Sequence, residues 1–145
     1  MSETPAYIVE FATVDELPFI LDAWCAGQAD QPHQLVPAEI FKVEMRARVM
    51  RLVGANKVAV ARVADGSVLG FVCYGWDSAS KLPVIHYVYV KGAHRRSGVA
   101  KTLAMKAAGL TPGGVWWHTH TTPRSGKIAR AHEGIYNSFL LEYLK

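Results

Sequence analysis

The stretch Val88-Tyr89-Val90-Lys91-Gly92-Ala93-His94-Arg95-Arg96-Ser97-Gly98-Val99-Ala100 sets a basic loop between a β-prone run and a helix that opens on small residues. The first N–H groups of a helix have no partner within it, and the helix dipole adds partial positive charge there. Gly98 and Ala100 leave room for a phosphate oxygen to reach those amides, and His94, Arg95 and Arg96 surround the place with positive charge. The chemistry on offer is anion binding. The competing reading is an ordinary strand-to-helix turn with solvated arginines, because short glycine motifs also arise by chance. A second group is His118-Thr119-His120, two imidazoles on one side of a β-prone run, followed later by His132 and Glu133. Three histidines are a zinc donor set, but no cysteine or carboxylate stands at a supporting spacing, so no metal is expected. Trp116 and Trp117 alternate in direction, so at most one walls a pocket and core packing is the default.

The elements that must position these groups alternate along the whole chain, without repeats. Tyr7–Phe11 reads as a strand. Thr13 and Glu16 form a capping box ahead of a helix in which Val14, Leu17, Leu21 and Trp24 share a buried stripe, with Pro18 in its first turn and Gly27 at its end. Residues 28–36 are polar and read as a loop. Pro37 suits a first helical position, and Phe41, Met45, Val49 and Leu52 mark the buried face of a second helix. Its basic flank (Lys42, Arg46, Arg48, Arg51) reads as solvated. Lys57–Val63 and Val68–Trp76 are joined through Asp65-Gly66, a hairpin signal. Then come a strand at Val84–Val90, a helix from Gly98 to Ala108 stopped by Gly109, a strand at Val115–Thr119, a helix over Arg124–His132 and a last strand at Tyr136–Leu144. The order β-α-α-β-β-β-α-β-α-β implies a mixed sheet with helices packed on it.

Composition bounds the answer. The 145 residues are half apolar and 19% charged, enough for one domain over 1–145 with a real core, and unlike a disordered tail or coiled coil. Sixteen Lys and Arg against twelve Asp and Glu leave a net charge of +4, a mild bias toward anionic partners. Cys25 and Cys73 have neither metal nor redox-motif spacing and read as reduced thiols. The polar start lacks a signal sequence and the apolar runs are too short to span a bilayer, so a cytoplasmic setting without membrane contact is expected.

Arg95-x-x-Gly98-x-Ala100, after a strand ending Val88-Tyr89-Val90, resembles the acetyl-CoA signature of the GNAT N-acetyltransferase superfamily, and the order of elements is similar over nearly the whole chain. The resemblance implies an α/β fold: a central mixed sheet flanked by about four helices. It implies that amides from Arg96 through Ser97, Gly98 and Val99 to Ala100 bind the pyrophosphate of acetyl-CoA. The edge at Val88, Tyr89 and Val90 would meet the pantetheine arm in a gap beside Val115–Thr119.

Acyl transfer to an amine needs a deprotonated amine, a donor for the oxyanion and a proton for the leaving thiolate. A backbone N–H near Tyr89 would serve the oxyanion. His86 is the candidate base. Counted by strand parity it shares a face with Val88 and Val90, and an imidazole titrating near pH ~6.5 accepts an ammonium proton at neutral pH. Its place also resembles that of a catalytic histidine in the arylalkylamine-acetylating branch; the alternative is a hydrogen-bonded histidine on a sheet face. The acid is a departure. Where many members carry a tyrosine, four residues before a Gly-Phe pair, this chain has Arg130 before Gly134-Ile135. A guanidinium does not give up a proton, so Arg130 would contact cofactor phosphates, and Tyr136 or water would supply the proton. Trp24, His118 and His120 are the candidates for the acceptor pocket. Only eleven residues follow Gly134, so the C-terminal strand region would be short, with a second copy as one way to cover the edge.

Two readings follow. One is an acetyl-CoA-dependent N-acyltransferase acting on an amine of a small molecule, a peptide or a modified nucleobase. The other is a catalytically inactive basic module in which Arg46, Arg48, Arg51, Arg95, Arg96, Arg124 and Arg130 contact nucleic acid or an acidic protein. The scatter of those arginines and the lack of an exposed aromatic row count against the second.

Overall fold

The computed structural model describes residues 4–28, 37–109, 114–118 and 134–136. Six strands form one mixed sheet in sequence order: β1 (Tyr7–Phe11), β2 (Val58–Val63), β3 (Val68–Asp77), β4 (Leu82–Val90), β5 (Trp116–His118) and β6 (Gly134–Tyr136). The first four are antiparallel, whereas β4, β5 and β6 run parallel. Three helices are described: α1 (Leu17–Gln28), α2 (Ala38–Gly54) and α3 (Val99–Ala108). The expected helix at 124–132, with Arg124 and Arg130, lies outside the described residues, as do His120 and the loop at 29–36.

The capping box forms as expected. Thr13 donates its hydroxyl to Glu16 at 2.5 Å and its backbone N–H to the same carboxylate at 3.0 Å. It caps a short 3-10 turn at Val14–Glu16, and this tighter turn rotates the chain before α1 begins. Val14 therefore leaves the expected stripe and is 68% exposed, while Leu17, Leu21 and Trp24 are buried. Gly27 does not end α1, which runs on to Gln28. The final strand begins at Gly134, two residues before the expected start.

Both faces of the sheet are covered. Alternate residues of the strands (Val58, Val60, Phe71, Cys73) meet Ile20, Trp24, Met45 and Val49 from α1 and α2. The opposite set (Ala59, Ala61, Val72, Ile85, Val90) meets Val99 and Leu103 from α3. The sheet thus supplies two apolar faces at a period of two, and each helix supplies one stripe at a period near 3.6.

Candidate active site

The loop after β4 has the geometry of an anion receptor. Gly92–His94 forms a single 3-10 turn, and Arg96 and Gly98 then take left-handed conformations, with φ of 64° and 87°. The first intrahelical bond of α3 runs from Thr102 N–H to Gly98 O at 3.0 Å. Among the described residues, the N–H groups from Arg96 to Lys101 find no protein acceptor. Successive amides around a left-handed residue, at a helix start, make a concavity for an anion. A Cβ added at Gly98 would meet nothing within 4 Å, so the space before these amides is open. Arg96, Ser97 and Gly98 are exposed there, while Val99 turns its side chain into the core and offers only its amide.

Arg95 has another use. Its Nε donates to Val90 O at 2.9 Å, and its guanidinium lies over the Tyr89 ring, 5.6 Å from the centroid. It ties the loop to the end of β4. Lys91 N–H reaches across to Leu69 O at 2.8 Å, and Tyr89 O also faces β3, against Gly70. Alternation then turns the backbone groups of Val88 and Val90 toward the opposite edge. The N–H groups available along that edge belong to Val88 and Val90, and that of Tyr89 is directed at β3. The pairs between β4 and β5 are Val84 with Trp117 and Ile85 with His118; among the described residues no strand covers β4 beyond them.

His86 does not share a face with Val88 and Val90. Cys73 pairs with Tyr87 and Tyr74 with Ile85, which leaves His86 as the extra residue of a β-bulge. The bulge resets the alternation. Ile85 and Val90 both face α3, although their spacing is odd. The His86 imidazole passes over Gly75, its Nε2 3.5 Å from where a Cβ would stand, on the face covered by α2. It is 3% exposed and lines a cavity of ≈ 280 Å³ with Arg48, Arg51, Lys57, Trp76 and Val84. Arg51 is exposed, as expected, Arg48 is half-buried, and both border this cavity.

Of the acceptor-pocket candidates, Trp24 and His118 lie among the described residues, and the structure gathers neither around His86. Trp24 is 1% exposed and stacks on Tyr87 with centroids 5.0 Å apart, so it is a core residue. Its indole is apolar and large, and the shared stripe of α1 points it inward. His118 is buried beside Trp116, ring centroids 5.7 Å apart, on the α3 side. His86 and His118 thus lie on opposite faces. Tyr136 is placed only through its backbone, paired with His118. No group of three metal-binding side chains occurs among the described residues. Lys57 and Trp76 were missed from the sequence, because a lysine before a strand and a tryptophan at a strand end carry no motif. The hint available was their position at facing ends of the hairpin.

The sequence model of the acetyltransferase (GNAT) family matches residues 21–128. No curated protein matches the chain. Among solved structures, a protein described as "histone acetyltransferase HPA2 and related acetyltransferase" from Corynebacterium glutamicum superposes with a TM-score of 0.59 at 15% identity, covering 87% of this chain and 83% of that one. A possible acetyltransferase from Clostridium difficile gives a TM-score of 0.56 at 16% identity, covering 91% and 94%. At such identities these neighbours speak for the fold alone. The family match extends over more than half of the sequence and includes the amide-lined loop, and on that ground the chain belongs to the GNAT acetyltransferase family.

Proposed function

We propose that this protein transfers an acyl group, most simply acetyl, from acyl-CoA to a primary amine of a small molecule, a peptide or a modified nucleobase. The observation that carries the reading is the run of unbonded amides from Arg96 to Ala100, opening α3 directly after the strand that holds His86. These residues fit a diphosphate: the amides donate, Gly98 leaves the approach clear, and Arg96 adds charge. Bound there, acetyl-CoA would supply an activated acyl carbonyl.

The remaining work falls to this chain. The outward edge at Val88 and Val90 suits an extended amide-bearing arm, and one of its N–H groups is the kind of donor that stabilises an oxyanion. Tyr89 and Arg95 hold that edge and the loop together through the ring contact and the bond to Val90 O. His86 would accept the proton that an acceptor ammonium must lose, from the wall of the cavity it lines. Protonation of the thiolate is assigned to Tyr136 or water, and Arg130 to the phosphates. A cytoplasmic setting belongs to the same reading, supported by two unpaired cysteines and by the lack, among the described residues, of a helix long and apolar enough to cross a membrane. The basic-module alternative draws no support from the family match.

Calorimetric titration with CoA and acetyl-CoA, alongside ATP as a control, tests the cradle; thiol release with a panel of amines tests the transfer. Saturable heat with CoA is expected. A flat titration would overturn the reading.

A further inference from the structure

The cavity at His86 has a charge of its own. Its wall carries Arg48, Arg51 and Lys57, and none of its lining residues is a carboxylate. Glu44 meets Arg48 one helical turn away at 3.5 Å, an exposed pair that offsets little. Lys57 is half-buried and forms no ion pair among the described residues. Its backbone is fixed on both sides, with Lys57 N–H on Leu52 O at 2.8 Å and Tyr74 N–H on Lys57 O at 2.9 Å. An ammonium partly withdrawn from water gains from an anion beside it, and a concave site of one sign concentrates that field. Trp76 and Val84 add an apolar wall, and ≈ 280 Å³ suits a small molecule.

We propose that the acceptor is a small amine that also bears an anionic group, a carboxylate or a phosphate. Lys57 and Arg48 engage the anion while the amine faces His86. The amine's role rests on the acyl-transfer reading; the anion site does not. A polyamine would place like charges together, and the pocket selects against it.

The test uses the full chain and two matched pairs: 4-aminobutanoate beside butylamine, and 2-aminoethyl phosphate beside ethanolamine, with spermidine as the polycation. Binding is read by calorimetry without acyl donor, and kcat/KM by thiol release with acetyl-CoA. At least one anionic amine should exceed its neutral counterpart by tenfold or more, mainly through KM, and which pair does so separates carboxylate from phosphate. Lys57→Met should shrink that ratio about tenfold and Lys57→Arg should restore it, whereas Lys106→Met, the same charge change on α3, should leave it alone. Anion binding that depends on Lys57 without any turnover would uphold the pocket and refute acyl transfer. Turnover without preference for the anionic partner, preference for spermidine, or anion binding indifferent to Lys57→Met would overturn the proposal. Failure of both anionic amines to bind would do the same.

Discussion

Replacing Gly98 brings two separable costs. Its φ of 87° lies in the left-handed region, and a Cβ there meets no protein atom within 4 Å. Gly98→Ala thus carries only the backbone penalty of about 1–2 kcal/mol, a fall in Tm of roughly 3–8 °C for a domain of this size. Gly98→Glu adds a carboxylate in front of the amides that would hold the diphosphate. Losing two charge-assisted hydrogen bonds at about 1.5–3 kcal/mol each amounts to roughly 3–6 kcal/mol, or about 10²–10⁴ in Kd for CoA. Gly66 provides the control: its φ is 91°, it is equally open, and it sits in the β2–β3 turn. Gly66→Glu should lose similar stability and keep CoA affinity. The assay is calorimetric titration with CoA at fixed ionic strength, paired with thermal melts of each variant. A Gly98→Glu protein that bound CoA within twofold of wild type would refute the cradle.

Three further outcomes are expected. His86→Ala should lower kcat by about 10²–10³ while CoA affinity stays within threefold, because the imidazole faces the α2 cavity and the amides proposed to hold the diphosphate lie in the loop before α3; unchanged turnover at pH 7 would remove it as the base. Arg62 pairs with both Glu10 and the buried Glu16, so Arg62→Ala should cost about 2–4 kcal/mol in urea unfolding, and Arg62→Met combined with Glu16→Gln should recover part of it. No recovery in the double variant would show that the lost pairing is not the cause. Burial pushes the Cys73 thiol above its ordinary value of 9.0, and burial also raises the Tyr74 hydroxyl above 10.0. In each case the protonated form is favoured in the fold. Their contribution is therefore complete below pH 9 and is lost as pH rises toward the folded values, at about 1.4 kcal/mol per pH unit for Cys73. Urea midpoints from pH 8 to 11 should fall accordingly, with the earliest part of the fall absent in Cys73→Val; a level midpoint would contradict the assignment.

Signals that act over a few residues survive folding unchanged. The Thr13–Glu16 box, the Asp65-Gly66 turn and Gly109, which caps α3 at φ 74°, each set an element boundary through local hydrogen bonds or a local dihedral preference. The amide-lined loop belongs with them, because helix ends and glycines create it wherever the rest of the chain lies. The mixed sheet could be read in the same way from the order of its strands and helices.

Counting by twos along β4 placed His86 beside Val88 and Val90, and it failed because a bulge is a property of a strand pair. Whether β4 takes one more residue than β3 between Cys73 and Tyr74 depends on how both strands fit their neighbours, and either sequence alone is silent on it. Trp24 differs for a related reason: its place at the end of α1 fits a pocket wall or the core, and the ring of Tyr87 decides for the core. The cationic wall has the same origin. Arg48, Arg51, Lys57 and Trp76 come from a helix, a strand start and a strand end, and they become neighbours of His86 only when α2 packs across the sheet.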